Sequence, residues 1–277
     1  MAECRSTYFV KNGILIPAAK FNDQWIYKAK CIYEVFRIID GVPLFWDNHY
    51  DRLIRSAVLA NMKVHFQKDA IDSMIKILLQ EVHLKDGNIK LVYSEHDQQA
   101  NLLLYFVAHK YPDVKDYNNG VKTSTLQATR HNPNAKILNQ QLRDKTNKII
   151  ADSDVYEVLL VDENEEITEG SRSNIFMIDG DNIYTPPVKD VLPGITRQYV
   201  INLCDERGLK VSEMKLPLDK ISRIDGIFIT GTSPGILPLV QVDNFIFNYE
   251  SILLRRLMED YEKLINNFMK ENKSWWT

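Results

Sequence analysis

Ile167-Thr168-Glu169-Gly170-Ser171-Arg172-Ser173-Asn174-Ile175-Phe176 sets one carboxylate in a run of small polar residues and then changes to an apolar pattern. The pattern predicts a buried strand over residues 174–178, with Glu169 in the segment just ahead of it. A lone glutamate is ordinarily a solvated surface charge. Its meaning therefore rests on what the rest of the chain sets around it.

Downstream, Val191-Leu192-Pro193-Gly194-Ile195-Thr196-Arg197 breaks a strand region with Pro-Gly and starts a helix at once, predicted over 195–207. Such a start leaves unpaired backbone N–H groups at the positive end of the helix dipole, where a phosphate is well received, although most helix starts bind nothing. Thr230-Gly231-Thr232-Ser233-Pro234 follows a predicted strand at 227–230 with glycine and small hydroxyl residues, and read alone it is an ordinary turn. On the other side, Asn134-Ala135-Lys136-Ile137-Leu138-Asn139 places a lysine in a mostly uncharged stretch at the head of the C-terminal part. Desolvation there would lower the amine's pKa and free it as a nucleophile, whereas most lysines are surface charges. Lys145 and Lys148 lie on the polar helix predicted over 140–152 and read as solvated.

The flanking chain alternates helix and strand. Residues 44–62 predict a helix with Asp47 as N-cap, with Leu53, Ile54, Ala57 and Met62 as its apolar stripe and Arg52 and Arg55 beside it. A second helix carries Ile71, Met74, Ile75, Leu78, Leu79 and Val82 and closes before Asp86-Gly87. Strands over 89–93 and 102–108 read as a hairpin with the polar tip Ser94-Glu95-His96-Asp97-Gln98-Gln99. The polar, aperiodic stretch from Lys110 to Gly120 is the expected interdomain link. Beyond it, further strands are expected near 121–127, 155–161, 182–185 and 209–215, and a closing helix over 249–269. The whole reads as mixed α+β in two parts, without internal repeat.

The 277 residues and their 45% hydrophobic content suffice for sizeable cores. The formal charge of −3 gives no global field for nucleic acid or an anionic membrane. The three cysteines, Cys4, Cys31 and Cys204, lack the close spacing of a zinc or redox site, which suits a reducing cytosol. No signal peptide or membrane span is expected. Small-molecule chemistry in the cytoplasm fits this balance, with no metal.

Taken together, Lys136-Ile137-Leu138-Asn139, the segment Thr168 to Phe176, Leu192-Pro193-Gly194-Ile195-Thr196-Arg197 and Thr230-Gly231-Thr232 resemble, in order and spacing, the signature segments of class IV (fold type IV) pyridoxal-phosphate enzymes. So do Tyr33-Glu34-Val35-Phe36 and Asn48-His49-Tyr50-Asp51-Arg52-Leu53 upstream. The family includes branched-chain and D-amino-acid aminotransferases and aminodeoxychorismate lyases, and the likeness runs from about residue 30 to residue 245. It implies a small α/β N-terminal domain (1–112), a larger C-terminal α/β pseudo-barrel domain (121–277), and pyridoxal 5'-phosphate between them. By the resemblance Lys136 is the Schiff-base lysine and proton carrier, and Glu169 partners the pyridine nitrogen and keeps it protonated. Ile195, Thr196, Thr232 and Arg52 are the expected phosphate cup, with Ser173 and Asn174 also at the cofactor site.

Tyr33, which read alone is half-buried packing at a strand start, stands where the family sets an aromatic residue toward the substrate. Many relatives carry a basic residue after the strand equivalent to 89–93, where this chain has Ser94-Glu95-His96-Asp97. That leaves Arg37, His96, Arg143 and Arg172 as candidates for holding a substrate carboxylate. The resemblance further implies a homodimer in which the tip Ser94–Gln99 serves the neighbouring active site. Transamination between an amino acid and a 2-oxo acid is the first reading. Elimination of pyruvate to give 4-aminobenzoate is the second, and a non-catalytic relative of the same fold the third.

Overall fold

The computed structural model describes residues 3–27, 30–96, 99–247 and 251–276. They belong to two compact units, one of Met1–Lys110, Ala135–Leu138 and Ile265–Thr277, the other of Tyr111–Asn134 and Asn139–Leu264. The segment bearing Lys136 therefore clusters with the N-terminal strands, although in sequence it stands at the head of the C-terminal part.

The first unit is built on an antiparallel sheet of β1 (Tyr8–Lys11), β2 (Ile14–Pro17), β3 (Lys30–Ile39), β4 (Val42–Pro43), β5 (Gly87–His96) and β6 (Gln99–Val107), in the order β2-β1-β6-β5-β3-β4. With it go α1 (Gln24–Tyr27), α2 (Trp46–Leu59) and α3 (Lys68–Val82). Side chains alternate across a strand, so β3 sends Ile32, Phe36 and Ile38 to one face, where they pack with Leu53 and Ala57 of α2 and Ile71, Ile75 and Leu78 of α3. Burying each of the isoleucine, leucine and phenylalanine side chains contributes roughly 1.5–3 kcal/mol. Cys31 and Tyr33 point to the opposite face, with Phe9, Ile26 and Tyr105. Glu34 thus faces the helices and Tyr33 faces away from them.

Three expectations need correction here. Asp47 does not cap α2: the N-cap is Phe45, in the left-handed conformation, and Asp47 sits in the first turn and pairs with Lys68 at 2.8 Å. Tyr33 is interior to β3 and does not begin it. The hairpin has less of a tip than its polarity suggests, because β5 and β6 stay paired as far as His96 and Gln99. Cross-strand hydrogen bonding continues there without an apolar face. Asp97 and Gln98, at its end, lie outside the described residues.

The second unit carries a sheet of β7 (Val121–Gln127), β8 (Glu157–Val161), β9 (Glu166–Gly170), β10 (Asn174–Asp179), β11 (Asn182–Thr185), β12 (Val211–Glu213), β13 (Leu216–Pro217), β14 (Gly226–Gly231), β15 (Gly235–Val242) and β16 (Phe245–Ile246). Its order is β12-β11-β10-β14-β15-β7-β8-β9-β13, with β16 on β15. Pairs β11/β12, β15/β7 and β7/β8 are parallel. Val121, Leu159, Ile167, Ile175, Ile227, Leu237 and Leu239 form its core. Its helices are α4 (Val114–Asn119), α5 (Gln140–Ser153), α6 (Ile195–Glu206) and most of α7 (Ile252–Trp276), whose end belongs to the first unit. Helix α4 occupies the stretch read as a link. Asp113 caps it by accepting from the Lys115 and Asp116 N–H groups, and Asp116 returns a bond to the Asp113 N–H. The predicted start of α7 at Tyr249 lies outside the described residues, and the helix runs on to Trp276, past the expected end at Met269.

Candidate active site

In the first unit the match between β3 and α2 builds a buried ion cluster. His49 and Arg52 are three residues apart on one face of α2, and both reach Glu34 on β3. Arg52 donates from Nε to Glu34 Oε1 at 2.8 Å and from Nη2 to Oε2 at 2.7 Å, while His49 Nδ1 lies 2.7 Å from Oε2. All three are buried, Glu34 completely. Burial opposes the Glu34 charge, yet the Arg52 guanidinium and the His49 hydrogen bond overcome it and bring the carboxyl down to about 2. Burial depresses His49 in turn. Arg52, expected beside the apolar stripe, is part of the buried face.

Lys136 is held against the same sheet. Its N–H donates to Ser56 Oγ of α2 at 3.0 Å, and its carbonyl accepts from the Tyr33 N–H at 3.0 Å. The next residue, Ile137, bridges to Ile32. The Lys136 ammonium nitrogen lies 4.9 Å from the Tyr33 ring centroid, and Lys90 Nζ lies 5.1 Å from the same ring. Arg37, half-buried, follows on the Tyr33 side of β3. The side chain of His96 lies outside what the structure describes.

In the second unit Glu169 is itself a strand residue, the fourth of β9, and does not stand in a polar segment ahead of a strand. Its buried carboxylate is held from two directions, with Oε1 at 2.8 Å from Arg130 Nε and Oε2 accepting from the Leu192 N–H at 3.2 Å. Arg130 also donates to the Ser171 carbonyl at 2.6 Å. The Leu192 carbonyl accepts from Asn174 Nδ2 at 2.9 Å. Asn134 Nδ2 bonds the carbonyls of Val188 and Val191. The strap that leads into α6 is thus fastened by three side chains. A Cβ on Gly194, its last residue, would fall 2.0 Å from Asn174 Oδ1, so a larger residue there displaces the Asn174 side chain.

Helix α6 opens without a side-chain cap, and its first residues Ile195, Thr196 and Arg197 are buried. Arg197 points its guanidinium at the Pro186 carbonyl and Glu213. Thr232 lies half-buried in the turn that joins β14 to β15. Next to that turn, Thr230 Oγ1 is buried without a hydrogen-bond partner among the described residues. Ser173 and Asn174 hydrogen-bond within the protein, Ser173 to Glu157 and Asn174 to the strap. Two of the four proposed substrate cations belong to this unit. Arg143 is half-buried in the first turn of α5, and Arg172 is exposed and donates to Asn147.

Sequence reasoning missed Arg130 and Glu157. Arg130 stands in Thr129-Arg130-His131-Asn132-Pro133, which has no period to give it direction, and Glu157 reads as an ordinary charge at the head of a strand.

The profile of the amino-transferase class IV family matches residues 31–242. The chain belongs to the class IV aminotransferases. Among relatives of this class IV aminotransferase, a D-alanine aminotransferase of Bacillus licheniformis is 29% identical over 237 residues, 82% of this chain and 83% of that one. Solved structures share the fold. A branched-chain aminotransferase of the thermophilic archaeon Thermoproteus uzoniensis, solved with norvaline, superposes with a TM-score of 0.83 at 19% identity, over 99% of both chains. A Legionella pneumophila chain with a provisional 4-amino-4-deoxychorismate lyase assignment gives 0.75 at 22% identity, over 86% of this chain and 92% of that one. The α+β architecture is that of fold type IV, with the larger unit's sheet as its open pseudo-barrel. Among the described residues no helix is long and apolar enough to cross a membrane.

Proposed function

We propose that the chain is a pyridoxal-phosphate-dependent aminotransferase, moving an amino group between an amino acid of branched-chain or D type and a 2-oxo acid. The observation that carries this reading is the holding of Lys136. A lysine whose N–H is fixed to α2, whose carbonyl is fixed to β3 and whose amine lies over a buried tyrosine is restrained as a reacting amine needs to be. Features of the second unit support the same reading. An uncapped, buried helix start follows a glycine packed against Asn174, and Thr230 Oγ1 lies in the same unit without a hydrogen-bond partner among the described residues. A buried carboxylate is fixed on the strap that leads to that helix. The residues present therefore fit the group.

Pyridoxal 5'-phosphate, when bound, supplies an electrophilic aldehyde carbon and a ring that accepts the electron pair left at the substrate Cα. Lys136 Nζ would be the group that holds the cofactor, and as a free amine it would carry a proton to and from the substrate Cα. Glu169 would partner the ring nitrogen and favour its protonated form. The N–H groups of Ile195 and Thr196 and the Thr232 side chain would receive the phosphate, a role also proposed for Arg52. Tyr33 faces the substrate, with Arg37 among the cations that steer its carboxylate. The enzyme works as a homodimer in the cytoplasm, where its three buried, unpaired cysteines stay reduced.

A panel of L- and D-amino acids, each assayed with and without a 2-oxo acid acceptor, tests the activity. Sustained turnover only when the acceptor is present supports transamination. Pyruvate release from 4-amino-4-deoxychorismate with no acceptor would replace it with the lyase reading, to which the Legionella fold neighbour points.

A further inference from the structure

One carboxylate that the chemistry above does not use organises most of the second unit's share of the site. Glu157, the first residue of β8, is buried and faces the turn that joins β9 to β10. Its Oε1 accepts from Ser171 Oγ at 2.6 Å and from its neighbour's Val158 N–H at 2.8 Å. Its Oε2 accepts from the Arg172 N–H at 3.1 Å and from Ser173 Oγ at 3.1 Å. The turn is wrapped so closely that a Cβ on Gly170 would lie 2.0 Å from Ser173 Oγ and 3.2 Å from Glu157 Oε2.

The residues at the two ends of that turn are Glu169 and Asn174, and both grip Leu192. Glu169 accepts from its N–H and Asn174 donates to its carbonyl. Two residues further on, Gly194 packs against Asn174 and α6 begins. Carboxylate, turn and strap thus form one chain of contacts from Glu157 to the start of α6. A turn whose two serine hydroxyls and Arg172 N–H converge on a single acceptor has one favoured arrangement, because any other leaves buried donors unpaired.

We propose that Glu157 is a positioning residue for the cofactor site, fixing the Glu169 carboxylate and the α6 N-terminus at one separation through the 170–173 turn and Leu192. The inference rests on the reading of Glu169 as ring-nitrogen partner and of α6 as phosphate receiver. A rigid ligand that must touch both ends is bound well only when the separation is right, so a loosened turn weakens binding without removing any group that touches the ligand. Glu157→Gln tests this gently. The amide keeps one acceptor oxygen but turns a donor toward groups that are themselves donors.

The experiment measures the affinity of apoprotein for pyridoxal 5'-phosphate by fluorescence titration, together with the melting temperature of each apoprotein. The variants are E157Q, N174A and the double mutant. Expected is a loss of affinity of roughly tenfold or more for E157Q, the equivalent of one charge-assisted hydrogen bond. The double mutant should lose clearly less than the product of the two single losses, because both residues act through the same strap. Cofactor-site absorption should still develop in E157Q at saturating ligand. Wild-type affinity in E157Q, an additive double mutant, or a lowered melting temperature with unchanged affinity would each overturn the proposal while leaving the roles of Lys136 and Glu169 standing. Wild-type apoprotein that takes up no pyridoxal phosphate would overturn both.

Discussion

Glu34 in the first unit and Glu157 in the second are both buried carboxylates on strands, and the two units satisfy them by different means. Glu34 is compensated by a full opposite charge, with Arg52 in a two-point grip and His49 on Oε2 as well. Glu157 has hydroxyl and backbone N–H donors around it. The first arrangement joins a helix to a sheet. The second shapes a turn. An ion pair fixes two elements at one point, whereas a carboxylate with several neutral donors dictates the path of the backbone that carries them. The protein uses the rigid joint beneath Lys136 and the shaped turn beneath Glu169.

Removing the charge partner should produce the largest effect. Arg52→Ala strands Glu34 in the interior, and loss of one partner of a buried pair costs about 3–5 kcal/mol. Apoprotein denaturation midpoints should fall accordingly, and a change below about 1 kcal/mol would mean that the cluster is wetter than its burial implies. Overfilling the shaped turn should matter less. Gly170→Ala pushes a methyl group onto Ser173 Oγ and Glu157, and overpacking of this kind costs roughly 1–3 kcal/mol. An unchanged melting curve would show that the turn yields freely.

The acid limb of stability sharpens the contrast further. Glu34 is depressed in the folded state to about 2 from an ordinary 4.5, so its contribution is complete above 4.5 and is lost as pH falls toward 2. His49 is also depressed, by burial, and the unfolded chain therefore takes up that proton first as pH drops below 6.5. The wild type should lose stability in both windows on acidification. Glu34→Gln should flatten the lower window, and equal slopes for the two proteins between about pH 5 and 2 would contradict the assignment.

The same contrast explains what was legible in the sequence. His49-Tyr50-Asp51-Arg52 carries its message locally, because helical spacing sets both side chains on one face, and the helices α3, α5 and α6 announce themselves by period and breaker in the same way. Glu157 and Arg130 say nothing locally, since their partners lie 14 to 16 and 39 residues away and are joined by sheet register. Strand β9 escaped notice because its small polar residues resemble a loop. Strand β15 escaped because Pro238 argues against a central strand, yet it sits beside the irregular register with β7, where a missing N–H is tolerated. Asp47 misled because a left-handed Phe45 took the capping position.

The proposed role of Lys136 is to bond the cofactor through its side-chain amine. Wild-type protein loaded with pyridoxal 5'-phosphate, reduced with borohydride and digested for mass spectrometry, should carry a phosphopyridoxyl group on the peptide containing Lys136, and Lys136→Ala should carry none. A label on another lysine, or an equal label on the variant, would contradict the account.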